Sequence, residues 1–186
     1  MKWYIFVLAA AGAALLAGCS GLLRTQPPDT DPIDGGTQHY LDEDAPKTIE
    51  STQIVSFSCE FSATNLSLNS SPIAGRYYTL YAGEDGGNYE ARGGGTVYGQ
   101  RIFTPDEAFF EALQAIVSRY DFAQHNGRFY KVSGLPPDYG VKLNIQYASG
   151  ESIRASNNQE CFLSLEAMEE LVSLFCPDES EQQEQP

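Results

Sequence analysis

Basic residues are scarce in this chain. Its 186 residues hold 11 Lys and Arg against 25 Asp and Glu, a formal net charge of −14. Phosphate binding needs clustered Lys and Arg, so this balance argues against a nucleic-acid partner. Histidine is scarcer, with only His39 and His125. Their spacing excludes the two-histidine HExxH zinc motif. No G-x-S-x-G elbow offers a nucleophilic serine. No two of the four cysteines stand at C-x-x-C spacing, which argues against a redox pair or a zinc site. Long apolar runs are also missing. The longest, Trp3–Ala17, has 15 residues, short of the roughly 20 that cross a bilayer. The sequence therefore assigns no catalytic residue, no metal ligand and no cofactor.

That short apolar run carries the clearest signal. Lys2 precedes it, and Leu16-Ala17-Gly18-Cys19 closes it. A charged start, a short apolar stretch and small residues form a secretory signal peptide. The closing tetrapeptide resembles the lipobox of bacterial lipoproteins, an aliphatic residue and two small ones before an obligatory cysteine. The resemblance covers about the first 20 residues. It implies diacylglycerol transfer to the Cys19 thiol, cleavage between Gly18 and Cys19, and an extracytoplasmic protein held to a bacterial membrane. Only a thiol makes the required thioether, and small side chains at 17 and 18 suit a protease cleft. One acyl chain binds a membrane marginally, whereas two anchor it stably.

Charge divides the remainder. Ser20 to Pro46 holds six acidic residues and one basic, and the last ten residues hold four acidic and no basic. Low hydrophobicity with charge and proline marks disorder. The expected organisation is a signal peptide over 1–18, a lipidated cysteine with an acidic disordered tether over 19–46, a folded domain over 47–176 and an acidic disordered tail over 177–186. An acidic tether is repelled by anionic lipid and holds the domain off the surface. Cys59, Cys161 and Cys176 remain for the domain. They are either buried thiols or one disulfide with a thiol left over.

Within the domain, Val55, Phe57, Cys59 and Phe61 alternate with Ser56, Ser58, Glu60 and Ser62. Period-two alternation predicts a strand with one buried face over Gln53–Ser62. Arg76–Ala82 and Asn88–Arg92 flank the turn residues Gly83-Glu84-Asp85-Gly86-Gly87 and read as a hairpin. Thr104-Pro105-Asp106-Glu107 predicts a helix start with Thr104 as cap. Phe109, Leu113, Ile116, Val117 and Tyr120 supply its apolar face, and Asn126-Gly127 its stop. Phe129–Val132 reads as a short strand before Pro136-Pro137. Val141–Tyr147 and Ser152–Ser156 form a second hairpin. A three-residue loop at Ser149–Glu151 there keeps one face apolar. Ser164 caps a last helix with Met168, Leu171, Val172 and Phe175 inward. The expected class is α+β: a mostly antiparallel sheet of five or six strands with two amphipathic helices packed on one face. Arg119–Gly127 and Tyr147–Asn158 are similar to segments of uncharacterised exported bacterial proteins, which brings no activity with it.

Weaker motifs fail on inspection. Asp29 to Gly35 starts like a calcium loop, but Ile33 and Asp34 occupy its fifth and sixth places. Gly93 to Gly99 is glycine-rich without the lysine or spacing of a phosphate loop. His125 reads as a helix-end cation or a polar surface residue. The distinctive feature is tyrosine. Tyr77, Tyr78, Tyr81, Tyr89 and Tyr98 crowd the first hairpin, and exposed tyrosine beside glycine suits sugar or peptide contact. The expected function is a cell-envelope lipoprotein with a small non-enzymatic domain. The alternatives are an accessory module that binds glycan, peptidoglycan or a protein partner through this hairpin, and a small envelope hydrolase.

Overall fold

The computed structural model describes residues 36–67, 71–95, 101–134 and 140–177. All belong to one compact unit, Asp31–Pro186. The lipobox with Gly18 and Cys19, the first part of the tether, Tyr98, the Pro136-Pro137 turn and residues 178–186 lie outside the described residues.

The expected alternation produces the centre of the sheet. β2 (Ile54–Ser62), β3 (Tyr77–Asp85), β7 (Val141–Tyr147) and β8 (Ser152–Asn157) each turn apolar residues to one side. Phe57, Cys59 and Phe61 are fully buried, as are Leu80, Ala82, Ile145 and Ile153. β1 (Thr37–Leu41), β4 (Asn88–Gly95), β5 (Arg101–Phe103) and β6 (Arg128–Val132) complete one eight-stranded sheet ordered β1-β6-β8-β7-β2-β3-β4-β5. Every pairing is antiparallel except β6 with β8. The fold is α+β, with a mostly antiparallel sheet and two helices packed against it.

Those helices are α1 (Glu107–Arg119) and α2 (Leu165–Phe175). α1 carries the chain from β5 at one edge toward β6 near the other. Ser164 caps α2 as expected, its hydroxyl accepting from the Ala167 amide at 3.2 Å. Phe175 seats α2, its ring stacked on Phe57 at 5.5 Å and edge-on to Phe109 of α1 at 5.1 Å. The two helices are tied outside the core by Arg119, whose guanidinium reaches Glu170 at 2.7 Å, and by the Tyr120 hydroxyl, which donates to Glu170 at 2.8 Å.

Five expectations are revised. The folded part starts ten residues earlier than expected, because Thr37–Leu41 pairs with β6 as β1. The Asp42 amide also donates to the Gly127 carbonyl at 2.8 Å. The described residues form eight strands in the sheet rather than five or six. Asp106, not Thr104, caps α1, its carboxylate accepting from the Phe109 amide at 2.9 Å. The helix ends at Arg119. Asp121 then takes a left-handed conformation (φ 50°, ψ 49°) and opens a 3-10 turn, Phe122–His125. The second hairpin has its three-residue loop, displaced by one position to Ala148–Gly150. The Gly150 amide donates to Tyr147 with φ at 88°, a type of glycine position that three-residue loops favour. Ile145 thus faces Ile153 and Leu143 faces Ala155, so the apolar side is preserved.

Candidate functional site: the open face of the sheet

Both helices cover the side that carries Phe57, Leu80, Leu143 and Ile153. By strand alternation, Ser58, Glu60, Tyr81, Arg92, Lys142, Asn144 and Arg154 point to the other side. No helix among the described residues covers it. Register arranges these side chains in rows. One runs Arg154, Asn144, Ser58, Tyr81, Arg92, Ile102 across β8, β7, β2, β3, β4 and β5. The next runs Tyr40, Phe129, Ser156, Lys142, Glu60, Thr79 and Gly94 across seven strands. The result is a polar floor with apolar groups at its ends. Tyr40 is 47% exposed and leans on Phe129 at 5.8 Å between ring centres, and Ile102 is 57% exposed.

Two atoms in the first row stand out. Asn144 Oδ1 and Arg154 Nε are enclosed and have no hydrogen-bond partner, although their residues pair directly. A buried unpartnered polar atom costs about 1–3 kcal/mol, so each is an open demand for a donor or an acceptor. Two other polar groups of the face do find partners. The Tyr77 hydroxyl donates to Glu60 at 2.8 Å. Arg92 pairs with Glu90 and Asp85, which holds its proton more tightly than usual.

The tyrosines of the first hairpin do not form one surface. Alternation sends Tyr77 and Tyr81 to the open face and Tyr78 and Tyr89 to the helix side. Tyr78 is 2% exposed and stacks on Phe61 at 5.3 Å. Tyr89 is exposed at the hairpin tip and meets Phe110 edge-on. Tyr81 lies along its own strand, its hydroxyl donating to the Glu84 carbonyl at 3.1 Å, with the Arg92 guanidinium 5.5 Å above its ring. Gly83 permits this, because a Cβ there would stand 2.8 Å from the Tyr81 oxygen. Tyr98 lies outside the described residues. Ser58, Asn144, Arg154, Tyr40 and Phe129 were not singled out from sequence. Their signal was the polar half of each alternating strand, which acquires meaning only once the strands are ordered.

His125 and the three cysteines sit on the helix side. His125 occupies the 3-10 turn and stacks on Phe162 with ring centres 4.3 Å apart. Burial, reinforced by Arg128 and Lys47, lowers its pKa, against the opposing pull of Asp121. It is therefore half-buried with its charged form disfavoured, where a helix-end cation or a polar surface residue was expected. Cys59, Cys161 and Cys176 are all free thiols. Burial raises Cys59 well above the ordinary value and Cys161 to about 11, so neither is a thiolate near neutral pH. No helix among the described residues is long and apolar enough to cross a membrane.

The architecture defines an α+β protein with one sheet face covered by helices and another that no helix among the described residues covers. No family model, curated protein or solved structure matches the chain.

Proposed function

We propose that this chain is a lipid-anchored, extracytoplasmic bacterial lipoprotein whose domain is a non-enzymatic module that binds an envelope glycan across its open sheet face. The anchor reading rests on Leu16-Ala17-Gly18-Cys19 closing a short apolar run. The single observation that carries the binding reading is the pair Asn144 and Arg154, whose enclosed Oδ1 and Nε lack partners in the middle of a polar floor. An acceptor and a donor side by side suit a ligand rich in hydroxyl and acetamide groups, which offers both. The net charge of −14 disfavours polyanions. Tyr40 and Phe129 at one end of the floor add an aromatic surface for the apolar face of a sugar ring.

The test is co-sedimentation of the mature Cys19→Ala chain with purified insoluble peptidoglycan. The wild-type face is expected to carry the chain into the pellet, and Asn144→Leu or Arg154→Leu to weaken binding about tenfold, the loss of one well-made hydrogen bond. Tyr89→Ala, on the helix side, leaves binding unchanged. A chain that stays in the supernatant, or pellets equally with both leucine variants, contradicts the glycan reading.

A further inference from the structure

On the helix side, behind the sheet, a cavity of about 350 Å³ opens between the last turns of α1, the 3-10 turn and the end of the β7–β8 hairpin. That volume falls within the range of small-ligand sites, about 300–1,000 Å³. Its apolar lining includes Ile49, Val117 and Ile153. The polar groups on it are few and differ in kind. Tyr147 is 3% exposed, and burial pushes its phenol pKa up to about 12. The Gln114 amide nitrogen donates to Ser118 at 2.8 Å, whereas its Oε1 is enclosed with no partner. Lys47 and Asp121 also line the cavity and bring one charge of each sign.

The cationic side is under-compensated. Lys47 donates to the Asn126 carbonyl, which satisfies one of its three N–H groups. Arg128 adds like charge, and burial adds a desolvation cost; only Asp42 opposes them, so the ammonium loses its proton more readily than usual. An anionic group beside Lys47 relieves that imbalance. The Asp121 carboxylate is exposed, and its backbone is held in the left-handed region (φ 50°), a conformation rare for residues other than glycine and tolerated by Asp and Asn. The chain is thus held in a sparsely populated conformation at the residue that lines the cavity with negative charge.

We propose that this cavity binds a small zwitterion of the α-amino-acid or short-peptide class, with its carboxylate at Lys47, its ammonium at Asp121, a donor group at Gln114 Oε1 and its aliphatic side chain against Ile49, Val117 and Ile153. This site lies on the side of the sheet opposite to Asn144 and Arg154 and does not depend on the glycan reading.

The experiment is a titration of the isotope-labelled mature Cys19→Ala chain, followed by amide chemical shifts. The probes are L-leucine and alanyl-alanine as zwitterions, acetate as anion alone and isobutylamine as cation alone. Saturable shifts confined to residues 47–49, 114–124 and 147–153 are expected with a zwitterion and at least tenfold weaker binding with either single-charge probe. Lys47→Gln and Asp121→Asn should each weaken zwitterion binding at least tenfold. Asn keeps the left-handed backbone accessible, so the second variant tests charge with the fold intact, as amide dispersion verifies. Arg154→Leu should bind as the wild type does. Absence of saturable shifts with both zwitterions, acetate binding as tightly as leucine, or unchanged affinity in both variants overturns the proposal.

Discussion

Gly93 sets how closely α2 approaches the sheet. It lies on the helix side of β4, opposite Leu80 on β3 and Arg101 on β5. A Cβ at this position would stand 2.8 Å from Cys176 Sγ, 2.8 Å from Phe175 Cβ and 2.9 Å from the Phe175 carbonyl oxygen. Only the first of these belongs to a group that can swing away. The other two move only with the helix, and Phe175 is already wedged against Phe57 and Phe109. Gly93→Ala therefore forces α2 outward. Overpacking of this kind costs about 1–3 kcal/mol, which for a domain of this size lowers Tm by roughly 4–12 °C. Cys176→Ala in the Gly93→Ala background removes one of three close contacts and recovers the minor part. Gly86→Ala is the control. Gly86 has φ at 60° but no atom within 4 Å of a new Cβ, so only backbone strain remains, about 1 kcal/mol. The assay is urea unfolding followed by far-ultraviolet circular dichroism. A Gly93→Ala protein within about 0.5 kcal/mol of wild type, the size of an ordinary surface change, refutes this placement of α2.

Two further outcomes follow from local geometry. Asp106→Ala should cost about 1 kcal/mol in the same unfolding assay, the usual worth of an N-cap, while Thr104→Ala should change stability by less than about 0.5 kcal/mol; the reverse ranking would restore Thr104 as the cap. His125 binds its proton less readily in the folded protein than its ordinary value of 6.5. The unfolded chain thus takes up the proton first as pH falls. The stability contributed by the neutral ring is complete above pH 6.5 and declines below it until the folded form also protonates. Urea midpoints measured from pH 7.5 downward should show this decline in the wild type and a flatter profile in His125→Gln, and parallel profiles would assign the decline to other groups.

The parts legible in the sequence are those where burial imposes a period. Phe57, Cys59 and Phe61 had to alternate with serine and glutamate because one face of β2 meets Phe175 and the other does not. α2 was equally plain, since Ser164 caps it and Met168, Leu171 and Phe175 recur at helical spacing. β1 had no such imprint. Four of its five residues are exposed, so it is held by its ladder to β6 rather than by a buried stripe. β5 has three residues, too few for any period. The floor of the open face was illegible for a different reason. Ser58 and Asn144 are 86 positions apart in the chain and become neighbours only because β7, not β6, pairs with β2. The tyrosines were visible as a cluster, but adjacent residues on a strand face opposite ways, and alternation divided them. The cavity on the helix side depends on Asp121 turning left-handed after α1, where the periodic pattern suggested helix as far as Asn126.

The proposed anchor at Cys19 would fix where the open face meets its ligand, and one measurement addresses it directly. Cells expressing the chain are fed labelled palmitate, and the membrane-extracted protein is examined for label and for its N-terminal residue. The account predicts a labelled protein that begins at Cys19 with the diacylglycerol on its sulfur, and an unlabelled Cys19→Ala protein. Equal labelling of the two proteins, or a wild-type chain that retains residues 1–18 without lipid, would contradict it.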